Sequence, residues 1–252
     1  MARLAITPIK PGADFTLDSP SISLTLLTAA EKTIYREMIR SLTYLAMMTC
    51  PDILFTITTL SQYLDAPQTT HLNAVQHVFS YLSRTRGLKL ILGGKNNHLI
   101  GFLDANWMFH LHCHSISGFT YFVGLSTMSW SAKMQPIITL SSTELGYIAL
   151  THTSKEIIWL HKLLKELLFI YPLSLPTTLY CDNQGTIKLS KDSKFHAHMK
   201  HINVHFHFIH QTVTQGHITI EYCPTNDMVA DVFTKSLARI KFQKFCVLLN
   251  MI

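Results

Sequence analysis

The chain has 252 residues, 48% hydrophobic and 14% charged, which excludes a disordered polyelectrolyte and supplies apolar surface for one large domain or two modest ones. Lys and Arg outnumber Asp and Glu by 21 to 15, for a formal net charge of +6 beside 15 His, so a polyanionic partner is compatible with the sequence, as is plain solubility. Cys50, Cys113, Cys181, Cys223 and Cys246 are odd in number and form no C-x-x-C pair, which favours a reduced intracellular setting, cytoplasmic or nuclear, over a disulfide framework. The opening MARLAITPIKPGADF lacks the apolar core of a secretion signal, and no run of about 18 apolar residues occurs, so neither secretion nor a membrane partner is expected.

Residues 1–30 carry three prolines and the stretch SPSISLTLLT without sustained periodicity, and read as a tether. From Glu31 the spacing of Ile34, Met38, Leu42 and Leu45 predicts a helix that Pro51 ends; Asp52–Leu64 and Thr70–Leu82 predict two more. Residues 31–95 are therefore expected to form a small helical subdomain, with a junction in the turn-rich GGKNN at Gly93–Asn97. Past Gly87 the segments LKLIL, HLIGFLD, SGFTYFVG and STMSWSA predict an antiparallel meander. Leu150, Ile157, Leu160, Leu164 and Leu167 mark one stripe of a long helix over Ser142–Leu168. TTLYC then predicts a strand, Gln184–Leu189 a short helix, His198–Gln215 a longer one, HITIEY a strand, and Asp227–Ser236 the start of the last helical region. Residues 96–237 thus read as an α/β domain, a mixed sheet covered by helices, and 238–252 as a C-terminal helix or tail.

Three aspartates fall where a strand ends or a helix begins: Asp104 after LIGFL, Asp182 after TTLYC and Asp231 in MVADVFTK. Carboxylates converging from such positions suit a hard divalent cation, which takes oxygen ligands and keeps waters for substrate oxygens. An Asp there also serves as a turn former or helix cap, and spacing leaves both readings open.

YREMIRSLTYLAMMTCPDILF resembles the pattern Y-R-x-x-x-G-S-L-x-Y-L-x-x-x-T-R-P-D-I of copia-type retrotransposon Pol polyproteins, and His71 to Leu82 resembles its H-x-x-A-x-x-x-x-x-Y-L. DANW, SISGF, SWSAKMQ, SSTELGYIAL, CDNQGTI, KHINVHFHFI and ADVFTKSL are similar to successive signatures of the RNase H domain in that family, so the resemblance covers residues 35 to 237 in order. It implies the end of a reverse transcriptase followed by an RNase H domain: a small helical subdomain, then an RNase H-like mixed five-stranded sheet with flanking helices. It further implies cleavage of the RNA strand of RNA–DNA hybrids with two Mg²⁺ ions, and as partners the hybrid and the rest of the Pol polyprotein. Asp104, Asp182 and Asp231 match three of the family's four catalytic, metal-holding carboxylates. The fourth is the second Glu of S-S-T-E-A-E-Y, a position that is Gly146 here; Glu144 lies about 200° around the helix from it and is expected to face away. On that match the nuclease is impaired, with one Mg²⁺ or none. Lys188, Lys191, Lys194 and Lys200, with Arg84, Arg86, Lys89 and Lys95, are candidates for phosphate contacts. No Asp-Asp pair occurs, so the paired aspartates of a polymerase palm are absent and no polymerase activity is expected. The rival reading is a non-catalytic nucleic-acid-binding or scaffold remnant of the polyprotein.

Departures from the family share a character. Cys50, Cys113, His114, His198 and His210 stand where it carries basic residues, and Met199, Asn106 and Asn203 where it carries Thr or Asp. Each is one C-to-T or G-to-A transition away, the pattern expected of a copy decaying at methylated CpG sites. His201 with His205, and His207 with His210, would share helix faces, but no Cys pair or carboxylate completes a zinc set, and His110–His114 reads as a polar loop. Trp107, Trp130 and Trp159 are expected in the core.

Overall fold

Helix α1 (Ala29–Met48) opens on a capping box: the Thr28 hydroxyl accepts from Glu31 N, and the Glu31 carboxylate accepts from Thr28 N at 2.8 Å. Its buried face is Tyr35, Ile39, Leu42 and Ala46. Of the expected stripe, Leu42 is buried but Ile34 and Leu45 are exposed, and Tyr35 takes the inward place, its hydroxyl donating to the Leu60 carbonyl at 2.7 Å. Pro51 starts a 3-10 turn (Pro51–Ile53) that runs into α2 (Leu54–Leu60) and a second turn (Ser61–Tyr63), so the helix expected over Asp52–Leu64 is segmented. Helix α3 (Thr69–Arg84) follows.

The computed structural model describes residues 5–13, 26–93, 98–107, 115–139, 141–167, 176–191 and 203–252. Its contacts divide the chain into residues 1–91 with 235–252, and residues 92–234. The last helix, α7 (Arg239–Leu248), belongs with α1–α3: the Phe242 ring meets Tyr81 edge-on at 6.1 Å, and Lys89 and Ile252 exchange backbone hydrogen bonds at 2.7 and 2.9 Å. LKLIL, expected as a strand, supplies one bridge between Leu90 and Met251. Within the expected tether, residues 5–13 are docked: Ala5 N donates to Ser80 Oγ at 3.3 Å, and His77 Nε2 lies 3.0 Å from the Thr7 carbonyl. Residues 14–25 of the tether and 94–97 of the expected junction lie outside the described residues.

The second unit is the RNase H-like mixed sheet. Strands β1 (Leu99–Asn106), β2 (Ile116–Val123) and β3 (Ser126–Met134) form the antiparallel meander; β4 (Thr177–Cys181) joins β1 in parallel and β5 (Ile218–Tyr222) joins β4 in parallel, for an order β3-β2-β1-β4-β5. One face carries Leu103, Phe119, Tyr121, Leu179 and Ile220 into a core closed by α4 (Ser142–Glu166), α5 (Gln184–Lys191) and α6 (Asn203–Thr214). The other face presents Phe102 and Tyr180 to Met228 and Ala230. Trp159, expected in the core, is 53% exposed, since Ile157 and Leu160 take the core side of α4 and a position two residues past Ile157 is rotated by about 200°. Among the described residues no helix is long and apolar enough to cross a membrane.

Candidate metal centre

Parallel pairing of β1 with β4 sets Phe102 opposite Tyr180, and their rings stack at 5.0 Å. Side chains two residues along a strand return to the same face, so Asp104 and Asp182, one step past the paired Leu103 and Cys181, project together from that face. On the other side of β1, Asp104 is opposite Gly118 of β2. A Cβ at Gly118 would lie 2.7 Å from both Phe233 Cβ and Thr234 Cγ2. Glycine is therefore what lets the 3-10 turn Val229–Phe233, which carries Asp231, close onto the sheet.

The result is a cluster in which Asp104, Asp182 and Asp231 each offer an oxygen within 4.8 Å of the others. Asp104 is 3% exposed and Asp231 fully buried, while Asp182 is half-buried. Hydroxyls orient two of them: Thr234 donates to Asp104 Oδ2, and Thr225 donates to Asp182 Oδ2 at 3.0 Å. The Asn106 amide donates to the Thr234 carbonyl at 3.2 Å, a bond that an Asp in its place could not make. Cys181 lies on the opposite, core face, where burial pushes its thiol up to about 12, and the three clustered groups all offer carboxylate oxygen.

The first turn of α4 is tied to the turn that follows Asp182. Asn183 Nδ2 donates to the Ser142 carbonyl at 3.0 Å, and the Thr186 hydroxyl donates to the Thr143 carbonyl at 3.3 Å. Ser141 caps the helix, its Oγ accepting from Glu144 N at 3.2 Å. A Cβ at Gly146 would fall on Thr186 Oγ1, so a side chain there is directed into α5. Glu144, about 200° around the helix, is 4% exposed. Position 146 thus carries no carboxylate and lies against Thr186, and among the described residues the clustered carboxylates are Asp104, Asp182 and Asp231.

Lys188 and Lys191 are exposed in the last turn of α5, and Arg84, Arg86 and Lys89 are exposed in the helical unit. Lys95, Lys194 and Lys200 lie outside the described residues, as do Cys113, His110–His114, His198, Met199 and His201. Of the His-rich segment, His205, His207 and His210 lie on α6. The positioning parts of the site, Gly118, Thr225 and Thr234, were not singled out from sequence, although Gly118 sits in SISGF and Thr234 in ADVFTKSL.

A mixed sheet in this order with three clustered aspartates on one face defines a protein of RNase H-like fold with a candidate metal centre. No family model matches the chain. It is 36% identical over 248 residues to the retrovirus-related Pol polyprotein from transposon RE2 of Arabidopsis thaliana, a match covering 97% of this chain and 17% of that protein. It is likewise 36% identical over 213 residues to the Pol polyprotein from transposon TNT 1-94 of Nicotiana tabacum, covering 84% of this chain and 16% of the relative. Among solved structures, LC11-RNase H1 in complex with an RNA/DNA hybrid is 10% identical, covers 54% of this chain and 93% of its own, and superposes with a TM-score of 0.40. The chain belongs to the copia-type retrotransposon Pol polyproteins, of which it matches a C-terminal fragment.

Proposed function

We propose that residues 92–234 act as the RNase H module of a Pol polyprotein that cuts the RNA strand of an RNA–DNA hybrid, with Mg²⁺ held by Asp104, Asp182 and Asp231 and with the cut impaired because the family's fourth carboxylate position is Gly146. The observation that carries this reading is the convergence of three aspartates, from a strand, a strand end and a 3-10 turn, to within 4.8 Å. Anionic carboxylates brought this close and largely out of water are costly unless a cation or hydrogen bonds compensate. Oxygen donors alone suit a hard cation such as Mg²⁺.

When bound, paired Mg²⁺ ions would activate the attacking water and stabilise the leaving oxygen. The protein's own part is orientation. Thr234 donates to Asp104 Oδ2, Thr225 donates to Asp182 Oδ2, and Gly118 lets the turn that carries Asp231 close onto the sheet. Gly146 brings no carboxylate to the site, so the second cation loses an anionic ligand. Lys188 and Lys191, together with Lys194 and Lys200, remain the proposed phosphate contacts on this unit, a sequence-independent and salt-sensitive grip.

The test is cleavage of an RNA–DNA hybrid in Mg²⁺ by the chain as given, Asp104→Asn, Glu144→Gln and Gly146→Glu. Little or no cleavage is expected from the unmodified chain, with a gain in Gly146→Glu that disappears when Asp104→Asn is added and no dependence on Glu144→Gln. Substantial Mg²⁺-dependent cleavage by the unmodified chain, abolished in Asp104→Asn, would overturn the impaired reading. Inertness in every variant, with hybrid still bound, would favour the non-catalytic scaffold.

A further inference from the structure

Two glycines face two threonines where the first turns of α4 and α5 meet. A Cβ at Gly146 would fall on Thr186 Oγ1, and a Cβ at Gly185 would fall on Thr143 Oγ1. Each helix leaves a gap that a hydroxyl of the other fills. The contact is also bonded: Asn183 Oδ1 accepts from Thr186 N at 3.0 Å, and the Thr186 hydroxyl donates to the Thr143 carbonyl at 3.3 Å. Asn183 Nδ2 adds a third bond, to the Ser142 carbonyl at 3.0 Å.

Thr186 has little freedom to leave. It is fully buried, and branching at Cβ restricts its χ1. A turn that carries Oγ1 off Gly146 gives up the bond to Thr143 and needs room for the methyl in the same packed space. Truncation acts differently. Thr186→Ala removes both Oγ1 and Cγ2, and the atom left nearest a Cβ at position 146 is the Cβ of residue 186 at 3.3 Å, a contact relieved by a shift of a few tenths of an ångström. We infer that Thr186 is a positioning residue that closes position 146 to every side chain, so that the missing carboxylate is a defect of two residues. This rests on position 146 as the family's fourth carboxylate, proposed above, and adds the group that bars its return.

In Gly146→Glu the added side chain meets Thr186 at its first carbon, before the carboxylate is reached. Room comes from tilting the first turn of α4 or from an off-rotamer χ1. Either misplaces the carboxylate, whereas metal ligation tolerates roughly 0.2 Å in distance. The gain from Gly146→Glu alone is therefore a small part of what the pair with Thr186→Ala yields. Thr186→Val separates shape from bonding: it keeps the branch and loses the hydroxyl, so the Thr143 bond goes while position 146 stays closed.

The experiment is Mn²⁺ titration calorimetry with a parallel melting curve on the full chain and on Gly146→Glu, Thr186→Ala, the pair, Gly146→Glu with Thr186→Val, and the pair with Asp104→Asn. Gly146→Glu alone is expected to lower the melting temperature of the sheet unit by about 3–10 °C, as overpacking does, and to raise Mn²⁺ affinity by no more than about threefold. Adding Thr186→Ala should recover most of the melting loss and raise affinity about 10- to 100-fold over the unmodified chain, a rise that Asp104→Asn abolishes. Adding Thr186→Val should recover neither, and Thr186→Ala alone should leave affinity within about twofold. If Gly146→Glu does not fold by itself, folding regained in the pair and not with Thr186→Val gives the same answer. An equal melting loss with and without Thr186→Ala, or full affinity in Gly146→Glu alone, would overturn the inference and leave the reading of position 146 intact. Melting recovered in the pair without any gain in Mn²⁺ affinity would overturn that reading, and this inference with it.

Discussion

The two units of the chain treat buried charge in opposite ways. The helical unit buries one carboxylate alone: Asp52 accepts from the Tyr81 hydroxyl at 2.6 Å, its Oδ1 has no partner, and burial pushes its carboxyl up to about 6. The sheet unit gathers three aspartates with hydroxyl donors around them. A single buried carboxylate can be neutralised by a proton, whereas three at this spacing are compatible with a divalent metal site. The overall charge divides the same way. Twelve of the 21 Lys and Arg but only six of the 15 Asp and Glu fall in residues 1–91 and 235–252, so the excess of +6 belongs to the helical unit, and the sheet unit is formally neutral.

Gly118→Val should break the sheet unit alone. Its side chain would enter the space of Phe233 and Thr234, and overpacking of this kind costs about 1–3 kcal/mol or more, with displacement of the turn that holds Asp231. Differential unfolding should show the sheet transition lowered and Mn²⁺ uptake lost while the helical transition stays in place. Asp52→Asn sharpens the contrast in the other unit. Because the folded carboxyl is raised from 3.8 to about 6, the native state holds the proton more tightly; that stabilisation is complete below 3.8 and lost as pH rises through about 6. The variant should raise helical-unit stability at pH 8 by up to about 3 kcal/mol and flatten its denaturation midpoint between pH 4 and 7.

Gly146→Ala tests which way α4 faces. Alanine gains about 1 kcal/mol of helix propensity, yet its Cβ meets Thr186, so a net loss of about 1 kcal/mol is expected by chemical denaturation, reversed when Thr186→Ala is added. The smallest effect is expected at His161, whose imidazole is pushed down from 6.5 to about 4 by burial and then by His217. Its neutral form is the one the fold holds, so sheet-unit stability is complete above 6.5 and declines as pH falls toward 4, opposite in sign to Asp52. Since the ring is partly exposed and solvent screens it, removing this acid dependence with His161→Gln should change stability at pH 5 by no more than about 1 kcal/mol. A melting profile in which both units respond to acid with the same sign would contradict the comparison.

Sequence made the order of elements readable because turns, prolines and alternating segments are local signals, and Asp104, Asp182 and Asp231 were readable because each sits at such a boundary. Three things were not. Periodicity gives a helix a face but not its exact bearing, so α1 was read one residue off, on Ile34 rather than Tyr35. Around Gly146 it gives nothing, since Glu144 to Thr151 are buried on every side and no stripe marks which residue lies against Thr186. The docking of α7 depends on Phe242 meeting Tyr81, a contact across more than half the chain that leaves no local trace.

That contact makes the helical unit discontinuous, with the whole sheet unit inserted between its two pieces. On a ribosome the chain emerges from its N-terminus, and domains fold as their last residues appear. The unit that begins first is therefore finished last: α1 to α3 wait through the synthesis of 143 residues, numbers 92 to 234, before α7 can cover Tyr81. A premature stop just after Thr234 would release a sheet unit with all three aspartates and a helical unit lacking Phe242 and Phe245, marked for chaperones or proteases by the apolar surface those rings normally bury.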